Sequence, residues 1–217
     1  MPEKISCSAI VFDFDGTLAD SMPFLESIGV EVMMKYFGIP KEEATSRYRS
    51  TTGLPYEQQV RMNFPDDPRD QPAIDEFEHL KIERIFEQEL FPDAVDTVKR
   101  VKAKGIDVFV SSSTFQPTIE EYFRRRGNLH LFKAILGYTP GFEKGADHFN
   151  HIHKTFAIPF DKMVFVGDSL NDFERSKGFC KFIALSRMFT SRDFRNLGYK
   201  GPVLHSLSGV VRNIIAA

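Results

Sequence analysis

Six short apolar runs recur along the chain, and they limit its fold more than any other feature of the sequence. Most of these runs are continuously apolar rather than alternating, which is typical of strands covered on both faces. Helical patterns separate them; Val95, Val98 and Val101, for example, share one side of a helix that stops at Gly105. We predict strands at residues 9–14, 106–111, 132–137, 162–168, 182–186 and 202–207. Strands alternating with helices predict an α/β fold with a doubly wound parallel sheet.

One interval interrupts this alternation. Between the first strand and the helix near Pro92 the chain has no convincing strand, and the gap far exceeds an ordinary connection. Its apolar residues recur at helical spacing, as Phe24, Ile28 and Val32 do. We therefore predict a helical subdomain at residues 20–89, inserted into a core formed by residues 1–19 and 90–217.

Charge and composition narrow the classes of partner and location. The 28 Lys and Arg residues nearly balance 30 Asp and Glu, which gives no reason to expect nucleic acid or a membrane as partner. No apolar run is long enough to span a bilayer, and charge precedes any signal-like stretch at the N-terminus. Cys7 and Cys180 suit a reducing compartment, and we favour free thiols over a bridge. We expect a cytoplasmic protein and favour a monomer.

Carboxylates follow two of the predicted strands. Asp13 and Asp15 lie at the end of the first strand, and Asp168 lies at the end of the fourth, with Asp172 shortly after. Ligands of open parallel sheets bind beyond the carboxyl ends of the strands, so these side chains should share one edge. Burying unpaired charge is expensive, and carboxylate oxygens are the ligands that Mg²⁺ prefers. A magnesium site would therefore account for them, whereas the alternative is a set of ordinary turn and helix caps.

Groups suited to phosphate lie at the same predicted edge. The second strand ends in hydroxyls from Ser111 to Thr114, and the loop after the third holds Lys144. We take Ser111, with Ser112 beside it, as the phosphate-binding hydroxyl, although a polar turn and a solvated lysine are the alternatives. With its charge neutralised, one carboxylate could attack phosphorus and form an aspartyl-phosphate. This inventory indicates phosphoryl transfer.

The order of these motifs is similar to that of a known family. "DFDGT", the serine of the second strand, Lys144 and "GDSLND" resemble the four motifs of the haloacid dehalogenase-like superfamily. The phosphoglycolate phosphatase and β-phosphoglucomutase branches are nearest in pattern, and the resemblance covers essentially the whole chain. It implies a Rossmann-like core with a helical cap. Pro92-Asp93 and Gly145 depart from the usual motifs, which leaves the branch open.

The resemblance also implies roles for individual residues. Asp13 would be the nucleophile, and Asp15 the general acid and then the base for water. Ser111 and Lys144 would bind phosphate. Mg²⁺ would be held by Asp13, the Asp15 carbonyl and Asp168, with Asp172 in support. A second acidic residue at position 15 favours phosphate esters over carbon–halogen bonds.

Two further groups have alternative interpretations. In the cap, Arg47, Arg49 and Thr52 lie near a Gly-Leu-Pro where relatives place a specificity loop, although they fit an ordinary exposed turn equally well. His148, His151 and His153 invite a zinc interpretation, but a surface cluster beside a packing stripe is the better prediction.

The sequence therefore predicts a Mg²⁺-dependent phosphatase that acts on a small phosphorylated metabolite, such as phosphoglycolate or a sugar phosphate. The alternative is a phosphomutase of the β-phosphoglucomutase kind. A phosphonate hydrolase would need a cap lysine for a Schiff base, and nothing marks Lys35 or Lys41 for that role. A non-catalytic binding module is disfavoured, because it would have no need of Asp15.

Overall fold

A computed structural model describes residues 4–217 and divides the chain into two compact units. One unit comprises the described residues up to Ala19 together with Leu90–Ala217, and the other is Asp20–Glu89. Among the described residues, no helix is both long and apolar enough to cross a membrane.

The larger unit is built on a parallel sheet. The strands of the described chain are β1 (Ile5–Cys7), β2 (Ala9–Phe12), β3 (Asp107–Phe115), β4 (Ala134–Tyr138), β5 (Met163–Gly167), β6 (Lys181–Leu185), β7 (Val203–Leu204) and β8 (Ile214–Ala216). Six of them form one parallel sheet in the order β4-β3-β2-β5-β6-β7. Every residue of β2 and β5 is buried, as expected for central strands covered on both faces. The predicted α/β fold with a doubly wound parallel sheet is confirmed.

The observed strands differ most from the predicted ones in β3, in β7 and in the additional pair β1–β8. β3 continues to Phe115, because it pairs again with Tyr138 of β4 after an irregularity that begins at Ser111. The hydroxyls predicted to follow this strand therefore lie within it. The predicted strand 202–207 is reduced to Val203–Leu204, and the parallel pair β1–β8 was not predicted. Elements of two or three residues are too short to show a hydrophobic period.

Helices cover the sheet and build the second unit. They are α1 (Met22–Phe37), α2 (Lys41–Thr51), α3 (Tyr56–Asn63), α4 (Asp70–Arg84), α5 (Ala94–Lys102), α6 (Gln116–Arg125), α7 (Ala146–Phe156), α8 (Leu170–Ser176), α9 (Ser191–Asn196) and α10 (Ser208–Asn213), with short 3₁₀ turns at Ile85–Glu87, Leu129–Leu131 and Phe160–Lys162. In the larger unit, Phe149 and Ile152 of α7 are fully buried in the same apolar cluster as Phe165 of β5. This packing fixes the start of α7 against the sheet.

The unit Asp20–Glu89 is a bundle of α1 to α4. Ile28 and Val32 lie on the buried side of α1, at the spacing that predicted a helix. Tyr56 of α3 stacks on Phe77 of α4 with ring centroids 3.7 Å apart, and its hydroxyl donates to the Gly29 carbonyl. Aromatic burial and a satisfied hydroxyl together give this small bundle a core of its own.

Candidate active site

The carboxyl ends of β2 and β5 bring two aspartates to one place. β2 and β5 are hydrogen-bonded neighbours in parallel register, with Phe12 opposite Val166. Asp13 follows directly after β2, and its N–H donates to the Val166 carbonyl at 2.9 Å. Asp168 follows directly after β5. Parallel pairing therefore places two residues that are 155 positions apart in sequence at the same edge of the sheet.

A tight turn begins at Phe14, directly after Asp13, and contains Asp15. The Phe14 carbonyl accepts hydrogen bonds from the N–H groups of Leu18 and Ala19, both at 2.9 Å. Gly16 has φ of 78°, a backbone conformation that glycine adopts without strain. The Phe14 ring is fully buried and meets Tyr122 edge to face, which anchors the turn in the core. The chain turns sharply while both carboxylates stay near the sheet edge.

Three buried carboxylates and one buried ammonium form the centre of the site. Ligand oxygens of Asp13, Asp168 and Asp172 lie within 4.8 Å of one another. Lys144 Nζ lies 2.8 Å from Asp13 Oδ1 and 2.7 Å from Asp172 Oδ1. All four residues are at most 6% exposed, so solvent screens these charges little. We call these four residues the acidic cluster.

Burial and mutual repulsion shift the pKa values of the acidic cluster. Burial raises the pKa of Asp13 well above its usual range; Lys144 opposes this effect, and Asp172 and Asp168 reinforce it. Burial likewise raises the pKa of Asp168 to about 7, with the Asp172 carboxylate acting in the same direction. Burial would lower the pKa of Lys144, but Asp13 and Asp172 outweigh it and raise that pKa. The single Lys144 ammonium therefore does not neutralise the negative charge of the three carboxylates.

Besides its ion pair with Lys144, Asp172 caps the start of α8. Its Oδ2 accepts from the Ser169 N–H at 3.1 Å, while Ser169 Oγ accepts from the Asp172 N–H at 3.0 Å, which forms a capping box. Gly167 makes room for this arrangement, because a Cβ at that position would lie 2.5 Å from Asp172 Oδ2. The glycine of "GDSLND" is therefore required by the close approach of Asp172.

The acidic cluster fits a divalent cation. Thr17 Oγ1 donates to Asp168 Oδ1 at 3.2 Å, whereas Asp168 Oδ2 is buried and has no hydrogen-bond partner within residues 4–217. A buried carboxylate oxygen without a partner is costly unless a cation or a proton meets it. The donors are hard oxygens in a site with excess negative charge, which suits Mg²⁺. Asp13 and Asp168 are the residues best placed to hold it.

The hydroxyls of β3 point to different neighbours, because successive side chains of a strand alternate in direction. Ser111 is fully buried, and its Oγ lies 2.8 Å from His148 Nδ1. Ser112 Oγ accepts from the Thr114 N–H at 2.9 Å, and Thr114 Oγ1 donates to Asp15 Oδ2 at 2.7 Å. Ser112 and Thr114 are thus linked to Asp15, while Ser111 is bound to His148.

The structure corrects the prediction of a surface histidine cluster. His148 is fully buried, whereas His151 and His153 are half-buried. The ring of His148 packs against Phe142 with centroids 4.6 Å apart. The spacing of His148 from Ile152, one helical turn further on, was a signal for burial that the sequence contained. Its partner Ser111 lies 37 residues earlier, and nothing local indicates that contact.

The three residues named from the sequence as possible specificity residues have partners inside the unit Asp20–Glu89. Arg47 pairs with Glu43 at 2.8 Å, and Arg49 pairs with Glu26 at 2.7 Å. Thr52 is 3% exposed, and its hydroxyl donates to the Tyr48 carbonyl at 3.0 Å. A contact between these residues and a substrate stays a prediction.

Known proteins resemble this chain in sequence and in fold. Residues 10–184 match the sequence profile of the haloacid dehalogenase-like hydrolases. The chain is 25% identical over 181 residues to a phosphoglycolate phosphatase of Aliivibrio fischeri, covering 77% of this chain and 78% of the relative. A phosphoglycolate phosphatase of Synechococcus elongatus is 25% identical over 178 residues, covering 78% of each chain. A haloacid dehalogenase-like hydrolase from Streptococcus pneumoniae superposes with a TM-score of 0.80 at 20% identity, covering 95% of this chain and 97% of that one.

Proposed function

Because this chain belongs to the haloacid dehalogenase-like hydrolases, we propose that it is a phosphatase that hydrolyses a small phosphorylated metabolite and requires Mg²⁺. The observation that carries the proposal is the acidic cluster: three buried carboxylates around one lysine, beside serine and threonine hydroxyls. The phosphoglycolate phosphatases among its relatives support a substrate of that size and charge.

Asp13 is the proposed nucleophile. An oxygen of its carboxylate attacks phosphorus, the phosphorus–oxygen bond of the ester breaks, and an aspartyl-phosphate forms. Lys144 holds the Asp13 carboxylate in place and offsets the negative charge that develops on the phosphoryl oxygens. Mg²⁺, held by Asp13 and Asp168, would supply the remaining positive charge.

Asp15 is the proposed general acid and base. It gives a proton to the oxygen of the leaving alcohol and then takes one from the water that attacks phosphorus. This second step releases inorganic phosphate and restores the Asp13 carboxylate. The hydrogen bond from Thr114 orients the Asp15 carboxyl group for both steps. An acidic residue at position 15 suits phosphate esters, because the alcohol that leaves needs a proton.

Ser112 is the proposed phosphate-binding hydroxyl, in preference to Ser111. The Ser111 hydroxyl is bound to His148 of α7, whereas Ser112 is linked through Thr114 to Asp15. Together with Lys144 it would bind the phosphoryl oxygens through charge-assisted hydrogen bonds.

Phosphonate cleavage is not supported by the lysines considered for it. A Schiff-base lysine needs a lowered pKa. Lys35 is exposed and bonded to Glu76 at 2.6 Å, and that hydrogen bond raises its pKa. Lys41 is exposed at the start of α2.

A phosphate-release assay over a panel of small phosphorylated metabolites tests the proposal. The panel contains phosphoglycolate, several sugar monophosphates and a generic aryl phosphate, each with Mg²⁺ and with EDTA. We expect free phosphate with Mg²⁺ and none with EDTA. Release of no phosphate from any compound would overturn the proposal, and an isomerised sugar phosphate would replace it with the phosphomutase alternative.

A further inference from the structure

A buried hydrogen bond joins two elements that flank the proposed phosphate site. Ser111 Oγ of β3 lies 2.8 Å from His148 Nδ1 of α7, and both side chains are fully inaccessible to solvent. Neither residue belongs to the acidic cluster, and neither is needed for the chemistry described above. A buried polar pair between two such elements is costly to misplace, because each partner would lose its hydrogen bond without regaining water.

The sequence positions of the pair connect it to the proposed phosphate-binding groups. Ser111 directly precedes Ser112 on β3. His148 lies in the first turn of α7, four residues after Lys144. Gly145, between Lys144 and the helix, has φ of 107°, so the lysine is joined to α7 through a turn that glycine favours. The bond therefore connects the segment that carries the ammonium to the strand that carries the hydroxyl.

The His148 ring is uncharged, and its bond to Ser111 is one of a small set of contacts that orient it. Burial lowers the pKa of His148 to about 3, so the ring is neutral at physiological pH. Its Nε2 is buried and has no hydrogen-bond partner in the described part of the chain. The orientation of the ring thus depends on the bond to Ser111, on an interaction with the Gly137 backbone that opposes the fall in its pKa, and on packing against Phe142.

We propose that His148 is a positioning residue, which through its hydrogen bond to Ser111 fixes Lys144 relative to Ser112. This inference rests on the proposed phosphatase function, because Lys144 and Ser112 are the groups proposed to bind the phosphoryl oxygens. A displacement of about 1 Å between groups that bind one phosphoryl group is enough to lower catalysis substantially. The ammonium group of Lys144 is held by two carboxylates. The Ser111–His148 bond restrains the backbone of α7, which follows Lys144 in the chain.

Three variants separate the hydrogen bond from the shape of the ring. His148→Phe keeps an aromatic ring but cannot form the bond, and Ser111→Ala removes the partner. His148→Asn restores a polar atom near the position of Nδ1. We expect the first two to lower kcat/KM for an aryl phosphate about tenfold and to weaken inhibition by inorganic phosphate by a similar factor. We expect the asparagine variant to recover most of both.

A double-variant cycle and a matched control make the test specific. If the two side chains act as one unit, Ser111→Ala combined with His148→Phe is no worse than either change alone. His153→Phe is the control, since His153 lies on the same helix but bonds the Ile158 carbonyl at 2.9 Å, and it should leave both constants unchanged.

The outcomes separate this inference from the proposed function. Wild-type phosphate inhibition in His148→Phe, or a loss only of thermal stability, would overturn the positioning role. Should His148→Phe fail to fold, Ser111→Ala, which removes one oxygen atom, decides the question. If the wild-type enzyme hydrolyses no phosphate ester, the proposed function fails, and calorimetric binding of inorganic phosphate by the wild type and Ser111→Ala still tests the pair.

Discussion

Lys144 Nζ lies 2.8 Å from Asp13 Oδ1, and both side chains are buried although 131 positions separate them in sequence. Asp13 follows β2, whereas Lys144 lies in the loop between β4 and α7. A buried pair of this kind is retained at a cost in desolvation, and removal of one partner leaves the other charge uncompensated. Loss of one partner should therefore destabilise the protein more without added cation than with it.

Removal of the Lys144 ammonium should destabilise the metal-free protein. In Lys144→Met, Asp13 and Asp172 lose their nearest positive charge, and we expect a loss of about 3 kcal/mol in the free energy of unfolding with EDTA present. Mg²⁺ should restore part of it, because a cation near the carboxylates replaces the missing charge. Urea denaturation under both conditions measures the difference. Lys154→Met, an exposed lysine on α7, is the control; an equal loss in both variants would contradict the prediction.

Asp168 should make the metal-free protein less stable as the pH rises. Its pKa is about 7 in the folded protein and about 4 in an unfolded chain, so the folded state binds more protons between these values. The free energy of unfolding should fall as the pH rises from about 4 to about 7. In Asp168→Asn this decline should be smaller. Denaturation in EDTA across this range measures the slope, and an unchanged slope in the variant would speak against the assignment.

Gly167→Ala should disrupt the site without altering any charged residue. The added methyl would lie 2.5 Å from Asp172 Oδ2, so the Asp172 side chain must move. We expect a loss of about 1–3 kcal/mol in stability, together with most of the activity. Gly209→Ala in α10 is the matched control, because its methyl would meet only the flexible Leu204 side chain at 3.2 Å. Comparable activity in the two variants would show that Asp172 tolerates displacement.

The two cysteines should react slowly in the native protein. Both are free thiols, and burial raises the pKa of Cys7 to about 11 and that of Cys180 to about 12. The thiolate is the reactive form, and its fraction at pH 8 falls tenfold for each unit of increase. Mass spectrometry after iodoacetamide treatment should detect little labelling of the native chain and full labelling in urea. Rapid native labelling of either residue would contradict this prediction.

The sequence predicts the acidic residues of the site because local patterns locate the strand ends. Asp13 and Asp168 each follow a continuous apolar run, and parallel pairing of β2 with β5 then places them together. No tertiary detail is needed for that step, since carboxyl ends of neighbouring parallel strands share an edge. The parallel sheet and the shared edge of the acidic residues thus follow from periodicity and composition, whereas the strand order is known only from the structure.

The hydroxyl at the site could not be predicted from the sequence in the same way. A shift of one residue along β3 reverses the direction of a side chain, so Ser111 and Ser112 differ in environment although their sequence context is nearly the same. The irregularity that carries β3 on to Phe115 depends on pairing with β4. The sequence places His148 at the surface because Phe149, Ile152 and Phe156 already form an apolar stripe on its helix, and its partner Ser111 is distant in sequence. Contacts between distant residues decide both cases.

The central claim is that Asp13 is the nucleophile of a Mg²⁺-dependent phosphatase. The most direct measurement is the rate of phosphate release from an aryl phosphate, with Mg²⁺, by the wild type, Asp13→Asn and Asp161→Asn. Asp161 is an exposed carboxylate in a 3₁₀ turn and serves as the control for loss of one negative charge. We predict wild-type release by Asp161→Asn and a fall of at least about a thousandfold for a folded Asp13→Asn. Release by Asp13→Asn at the wild-type rate would contradict the account.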